Sequence, residues 1–152
     1  IIISDRQKSK KYRKKHKTPK QKGIEGENVI SNIIQYAPMY KKIVRNAYID
    51  MNENKKTEID IIAISTKGIY VIESKNYEGW ILGDEKSNQW CQNIYNKKSY
   101  FYNPIKQNQT HIKSINKILQ LDEKMYESLI IFNKAEIKKM FVSSSKTYVM
   151  NI

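Results

Sequence analysis

Cysteine is nearly absent from this sequence, in which Cys91 is the single thiol. One cysteine excludes a disulfide framework, or a zinc site built from several thiolates, within one chain, and it is typical of a reducing, cytoplasmic compartment. Long apolar runs are absent as well. No stretch of about 18 apolar residues occurs, so none of the 152 residues is expected to cross a membrane within a helix.

Acidic residues are almost missing from the first 22 positions, which hold ten Lys and Arg but only Asp5. This segment therefore carries +9 of the formal net charge of +13. Such a dense block of like charges repels itself, which predicts a flexible arm over residues 1–22. Its side chains could bind DNA phosphates by releasing counterions, and the candidates are Lys10, Lys11, Arg13, Lys14 and Lys15.

Two other roles stay open for this arm. It could lie against the anionic cytoplasmic face of a membrane, or it could simply keep the protein soluble. The first residue is Ile1 rather than Met, which suggests a preceding segment that could attach the protein to a membrane. The expected location is the cytoplasm, or its membrane face if such an attachment exists.

The pattern of residues 23–152 indicates one domain in which helices and strands alternate. Two apolar runs, 58–64 and 69–75, flank a four-residue polar link and predict a β-hairpin. Both runs are apolar on both faces, so helices should cover both sides of their sheet. The expected class is therefore α/β (α+β). The other predicted elements are helices over 23–37 and 103–121 and strands over 42–49, 79–83, 89–95, 129–132 and 140–142.

The predicted hairpin brings three charged side chains together. If its loop holds an even number of residues, Ser65 faces Gly68 and Asp60 faces Glu73, with Cβ atoms about 5 Å apart. Lys75 follows two residues later on the same face. An odd loop would shift the register by one residue and separate the charges.

Two facing carboxylates repel each other, which favours protonation of one or binding of a divalent cation between them. Mg²⁺ or Mn²⁺ held in this way can activate water and neutralise charge on a phosphodiester. Lys75 could orient the water and stabilise the developing charge. The alternative is an ordinary surface ion pair between Glu73 and Lys75, worth under about 1 kcal/mol.

The first predicted helix offers a third acid. Glu27 lies three residues before Ile30 and seven before Ile34, so it shares their inward stripe. Glu25 lies off that stripe, which is typical of a solvated acid in a first turn. We therefore expect Glu27 to support the metal site.

Seven segments, in chain order, resemble those of the nuclease-related domain (NERD) family, whose wider group shares the restriction-endonuclease-like fold and the PD-(D/E)xK motif. The resemblance covers roughly residues 23–140. Two departures are Ile61, where the family often has His, and Ser74, where a small apolar residue is usual. The matching segments are Gly23-Ile24-Glu25-Gly26-Glu27, Thr57-Glu58-Ile59-Asp60, Gly68-Ile69-Tyr70-Val71-Ile72-Glu73-Ser74-Lys75-Asn76, Gly79-Trp80-Ile81-Leu82-Gly83, Trp90, Asn103-Pro104-Ile105-Lys106-Gln107 and Leu129-Ile130-Ile131-Phe132.

The resemblance implies a central mixed sheet flanked by helices and a site that binds Mg²⁺ or Mn²⁺. It implies that Asp60 and Glu73 bind the metal, and that Gln107 makes a further contact to the site or the substrate. The implied catalytic set is Glu27, Asp60, Glu73, Lys75 and Gln107.

A second region has a weaker link to nucleic acid. Lys97 and Lys98 lie among aromatic residues that could stack on unpaired bases, although filling space beneath an irregular segment is the more ordinary role. His111 could point to the site, but a packing or surface role is more ordinary for it as well. The aromatic residues are Trp80, Trp90, Tyr95, Tyr100, Phe101 and Tyr102.

Taken together, the sequence predicts a metal-dependent DNA nuclease. The alternative is a catalytically silent nucleic-acid-binding module that recruits DNA to a larger or membrane-attached protein. RNA is a further candidate substrate, mildly disfavoured because no RNA-binding motif is readable.

Overall fold

The structure is a computed structural model and describes residues 17–39, 41–52 and 55–152. Two helices and nine strands make up this part of the chain, with a short 3₁₀ turn at Glu123–Met125. Neither helix has the length and apolar content needed to span a membrane. The elements are α1 (Pro19–Tyr36), β1 (Lys41–Asn52), β2 (Lys55–Ser65), β3 (Gly68–Lys75), β4 (Gly79–Asp84), β5 (Gln89–Ile94), β6 (Lys97–Tyr102), α2 (Pro104–Leu119), β7 (Tyr126–Phe132), β8 (Ala135–Phe141) and β9 (Thr147–Asn151).

The strands form two mixed sheets. The first has the order β1-β2-β3-β7-β9, antiparallel from β1 to β3 and parallel from β3 to β9. The second has the order β6-β5-β4-β8, in which only β4 and β8 run parallel. This mixed α/β architecture agrees with the α+β, restriction-endonuclease-like class expected from the sequence.

The first sheet is covered on both faces, as the two-sided apolar runs predict. Ile30 of α1 packs against Ile61 and Ile72 on one face. Ile115 of α2 packs against Ile62 and Val71 on the other. The middle of the central strands is therefore buried, and a charged side chain at a buried strand end must be paired or bind a cation.

The second sheet has its own core. Trp90 of β5 is fully buried together with Ile81, Ile105 and Phe132. Its indole lies directly on the bare backbone of Gly83, where an added Cβ would come within 2.5 Å of the ring. The sheet therefore rests on the C-terminal half of β7 and the start of α2.

Helix α1 begins at Pro19, four residues before the predicted start at Gly23. Thr18 caps it in a reciprocal pair with Gln21, and Pro19 occupies the first turn, which is a recognisable start signal. The helix ends at Tyr36, one residue before the predicted end, because Ala37 precedes Pro38 and adopts an extended conformation. Ile33 has helical spacing from Ile30, yet it is 53% exposed.

Two strands were not predicted. β6 (Lys97–Tyr102) and β9 (Thr147–Asn151) carry mixed polar and apolar residues without a clear alternation. β7 begins three residues earlier, and β8 five residues earlier, than their predicted starts at 129 and 140. The predicted helix over 103–121 ends at Leu119, and Leu119 itself is 47% exposed.

Candidate active site

The hairpin register places Asp60 and Glu73 at the same level of β2 and β3. The paired residues run from Ser65 with Gly68 to Ile61 with Ile72, as predicted. Beyond that point the ladder stops, and the backbone N–H of Ser74 donates to Asp60 Oδ2 at 2.8 Å. The Asp60 side chain therefore takes the place of a ladder acceptor where the two strands part.

Glu73 is one of the most buried charged groups in the described residues, with 2% of its surface exposed. Its Oε1 accepts a hydrogen bond from Lys75 Nζ at 2.6 Å. The same ammonium donates to Gln107 Oε1, on α2, at 3.1 Å. Three of the predicted residues, Glu73, Lys75 and Gln107, are thus in direct contact.

The second oxygen of Glu73 faces His111, one turn further along α2. Glu73 Oε2 lies 3.5 Å from His111 Nδ1, and within the described residues neither atom has a hydrogen-bond partner. Burial, and then the nearby charge of Lys75, lower the pKa of His111 to about 4. The imidazole is therefore neutral at neutral pH and does not balance the carboxylate charge.

Both carboxyl groups hold protons more tightly than usual. Burial, and then the Glu73 charge, raise the pKa of Asp60 to about 7. Burial also raises the pKa of Glu73, although Lys75 and Gln107 act against the shift. The single positive charge of Lys75 thus acts on two buried carboxylates. The site therefore favours a further positive charge or a proton.

These residues fit a divalent cation. Glu73 Oε2 is buried and has no hydrogen-bond partner in the part of the chain that the structure describes, and burial opposes the ionisation of the neighbouring Asp60. Both carboxyl groups offer oxygen donors of the kind that Mg²⁺ and Mn²⁺ take. The described residues include no cluster of three or more His, Cys, Asp or Glu side chains arranged for a metal. Mg²⁺ often uses one or two carboxylates and fills its remaining positions with water and substrate phosphate oxygens.

Glu27 lies at the rim of this site. Its Oε2 accepts a hydrogen bond from Asn46 Nδ2 at 3.0 Å, and its charge adds to the raised pKa of Asp60 and of Glu73. Asn46 has a φ of 50°, and its amide also reaches Glu58 Oε1 at 3.5 Å. The sequence predicts that Glu27 points inward with Ile30 and Ile34. In the structure Glu27 is partly exposed at the edge of the site.

Two buried asparagines position α2 over the sheet. Asn103 caps the helix by accepting from the Ile105 N–H at 2.9 Å. Asn108 is fully buried and donates to Val71 O at 2.7 Å and to Ser128 Oγ at 2.8 Å. Because Asn108 ties α2 to β3 and β7, it fixes the helix turn that carries Gln107 and His111.

Two residues of the site were not expected from the sequence. A packing or surface role is the more ordinary expectation for His111, yet it lies against Glu73 inside the site. Its spacing of four residues after Gln107 places both on one helix face, a signal that could have indicated it. Nothing in the sequence pattern singled out Asn46, whose importance comes from its unusual backbone conformation opposite Asp60.

The candidate nucleic-acid residues lie elsewhere. Lys97 and Lys98 are exposed on β6 of the second sheet, away from the paired carboxylates. The aromatic residues around them divide into two groups. Trp90 and Phe101 belong to the core, whereas Trp80, Tyr95, Tyr100 and Tyr102 are exposed. The basic residues Lys10, Lys11, Arg13, Lys14 and Lys15 lie outside the described residues.

Comparison with known proteins places this geometry in context. The family model described as nuclease-related domain matches residues 22–133. An uncharacterized protein of Bacillus anthracis is 36% identical over 138 residues, which are 90% of this chain and 65% of that protein. The chain thus spans less than two thirds of the relative's length. No solved structure matches the chain.

Proposed function

Because this chain belongs to the nuclease-related domain family, we propose that it is a metal-dependent deoxyribonuclease of the PD-(D/E)xK type. The observation that supports this most is the buried cluster of Asp60, Glu73 and Lys75, with Gln107 bound to the lysine. The reaction is the attack of water on phosphorus, with formation of one P–O bond and loss of one ester oxygen.

Asp60 and Glu73 would hold the metal through carboxylate oxygens, including Glu73 Oε2, which has no other partner among the described residues. A bound Mg²⁺ or Mn²⁺ would supply charge neutralisation at the phosphate and a lowered pKa for water. Because His111 is neutral at neutral pH, it would not compete with the cation for the charge of Glu73.

Lys75 is held in place before substrate arrives. Its ammonium has Glu73 on one side and Gln107 on the other, and 16% of its side chain is exposed. It can therefore donate its remaining hydrogen to the attacking water or to the phosphate oxygen that gains charge. Such fixed donors contribute because they need no reorganisation during the reaction. Glu27, at the rim, would support the cation through its charge.

A cleavage assay tests the proposal with an internal control. The chain holds a second Glu-x-Lys pair, Glu136 and Lys138, with the same 2.6 Å contact. That pair is on the surface, whereas Glu73 and Lys75 are buried. Supercoiled plasmid, single-stranded DNA and RNA are incubated with Mg²⁺, Mn²⁺ or chelator, using wild type, Glu73→Gln and Glu136→Gln.

We expect metal-dependent DNA cleavage that falls by roughly 10²–10³-fold in Glu73→Gln and persists in Glu136→Gln. Equal loss in both variants, or cleavage that survives chelation, would contradict the site. Absence of cleavage on every substrate, with DNA binding intact, would favour the silent binding module. Cleavage of RNA alone would correct the substrate.

A further inference from the structure

One face of the second sheet points away from the core. The register pairs Trp80 with Asn93 and Asn93 with Lys98, and Leu82 with Cys91 and Cys91 with Tyr100. Because side chains alternate along a strand, these residues share one face, which we call the outer face. The opposite side carries Ile81, Trp90 and Phe101 and packs into the core. Both helices pack on the first sheet.

The outer face is rich in exposed aromatic rings. Trp80 is 48% exposed, Tyr100 65%, Tyr102 55% and Phe141 57%. Single exposed rings are common on protein surfaces, but four on one sheet face mark a binding surface. A fifth ring, Tyr95, stands 96% exposed at the tip of the β5–β6 hairpin.

The conformation of Tyr95 supports a role in binding. Tyr95 and Asn96 have φ angles of 47° and 65°, which is the two-residue turn normally built from Asn and Gly. A tyrosine in the left-handed region is uncommon and costs stability. The turn itself does not require an aromatic ring, so the ring has another use.

The charges of this face complement phosphate. Lys98, Lys138 and Lys139 lie on this face against Asp84 and Glu136, and Glu136 forms an ion pair with Lys138. Lys138 Nζ lies 5.1 Å from the Trp80 ring and Lys139 Nζ 5.3 Å from the Phe141 ring. Rings interleaved with cations suit a chain of bases joined by phosphates better than an apolar peptide, which would leave the lysines unmatched.

We propose that the outer face binds unpaired nucleotides of single-stranded DNA, with Trp80, Tyr95 and Tyr100 stacking on bases and Lys98 contacting phosphate. Base stacking on aromatic rings tolerates any sequence, because every base has a π-face. Blunt duplex DNA hides its bases and would bind this face poorly.

Two cavities that share lining residues lie between this face and Lys75 of the candidate active site. A cavity of about 460 Å³ is lined by Lys22 of α1, by Lys75, and by Gln92 of β5. A neighbouring cavity of about 310 Å³ is lined by Trp80, Asn93 and Tyr95. Glu78 and Ile94 line both cavities. The link between the outer face and cleavage rests on the proposed nuclease function. A strand cut near Lys75 would continue unpaired onto the outer face. Single-stranded or overhanging DNA is then the preferred substrate.

Binding of a fluorescent 15-nucleotide oligo(dT), followed by anisotropy with chelator present, tests the outer face without any cleavage. Salt near 0.2 M screens contacts from the basic N-terminal residues. The test protein is Trp80→Ala/Tyr100→Ala, and the control is Tyr36→Ala/Tyr148→Ala, which removes two exposed rings elsewhere. Wild type is also measured against blunt duplex of the same length.

We expect the wild type to bind oligo(dT) at least tenfold more tightly than duplex. The test protein should lose at least tenfold in oligo(dT) affinity, and the control should lose less than twofold. Quenching of Trp80 fluorescence by oligo(dT) should accompany binding, since Trp90 is buried. Equal affinity for duplex and oligo(dT) in the wild type, a comparison that needs no variant, would overturn the proposal.

Tyr95→Asn gives a second, independent measurement. Asparagine suits the turn, so thermal stability should be kept or raised while oligo(dT) affinity falls about threefold or more. Unchanged affinity in both Tyr95→Asn and Trp80→Ala/Tyr100→Ala would overturn the proposal. If the protein binds oligo(dT) through these rings but shows no nuclease activity, the outer face is a binding site for single-stranded DNA. Only its link to cleavage is then removed.

Discussion

Glu73 and Glu136 have the same local sequence pattern and the same contact, yet their surroundings give them opposite properties. Each meets a lysine two residues later at 2.6 Å. The Glu136 side chain is 58% exposed. An exposed ion pair of this kind contributes about 0–1 kcal/mol to the free energy of unfolding. The Glu73 side chain is 3% exposed, so its charge carries a desolvation penalty that the lysine only partly offsets.

The difference between these two glutamates limits what the motif alone could reveal. Glu73 ends a strand that is apolar on both faces, and Asp60 lies across the hairpin from it. These neighbours made the cluster predictable, because strand periodicity and an even-numbered loop fix the register. His111 was not predictable in the same way, because a histidine on a helix gives no sign of which side chain it will meet.

Ionisation of the buried Asp60 should lower the free energy of unfolding of the metal-free protein as pH approaches and passes neutrality. Its pKa is raised from 3.8 to about 7, so the folded protein binds the proton more tightly than the unfolded chain. This contribution to stability is full below about pH 4 and is lost as pH rises through 7. The pKa of His111 is lowered from 6.5 to about 4. Its contribution to folding stability is therefore lost as pH falls through that range.

Replacing Asp60 by Asn removes the pH dependence that arises from Asp60 and leaves the one that arises from His111. With chelator at pH 8, Asp60→Asn should raise the free energy of unfolding by up to roughly 4 kcal/mol, and the gain should vanish near pH 4. Urea unfolding at several pH values measures it, and Asp50→Asn on the exposed surface should show no such gain. A variant less stable than wild type at pH 8 would contradict the electrostatic account of the site.

At the scale of elements, α2 carries the polar side of the site, and its N-terminus also holds a loop together. The Asn103 amide nitrogen lies within 3.1 Å of the carbonyl oxygens of Asp84, Glu85 and Ser87. The Asn103-Pro104 pair is a recognisable signal for a helix start in the sequence. The loop contacts were not predictable, because they depend on how the second sheet packs.

Asn103→Ala should therefore cost more than a helix cap. Loss of the cap and of buried hydrogen bonds to the 84–87 loop should lower the free energy of unfolding by about 2–4 kcal/mol. Thr18→Ala removes the exposed cap of α1 and should cost only about 0.5–1 kcal/mol. Chemical denaturation compares the two variants, and equal losses would show that the loop contacts of Asn103 contribute nothing.

The second sheet was the least predictable element. The sequence predicts strands over 79–83 and 89–95 but none over the residues of β6. Lys97–Tyr102 places polar and aromatic residues on both faces, because one face meets the core and the other carries exposed rings. A pattern that serves a binding surface departs from the apolar alternation by which half-buried strands are recognised.

At the scale of the whole molecule, the charge conflict in the site should appear as metal-dependent stability. A cation that binds only the folded state at 100 times its Kd adds about 2.7 kcal/mol, which is roughly 5–10 °C in Tm for a domain of this size. We expect Mn²⁺ to raise Tm in the wild type, and more at pH 8 than at pH 5.5, where Asp60 holds its proton.

Differential scanning fluorimetry measures this shift without any substrate. Glu73→Gln should abolish it, while Glu136→Gln, which alters the surface pair, should leave it intact. A shift of equal size in wild type and Glu73→Gln would mean that the metal binds elsewhere in the chain.

The link between the two sheets is short. Residues 76–78 join β3 to β4, so Trp80 follows Lys75 by only five positions along the chain. An extended chain of that length spans at most about 18 Å, which is roughly five nucleotides at the 3.4 Å rise of one DNA strand. If both proposals hold, this distance sets how far an unpaired strand would run from the cut to the Trp80 ring. Cleavage should then rise with overhang length and level off at no more than about five nucleotides, because about 18 Å is the upper limit of the distance.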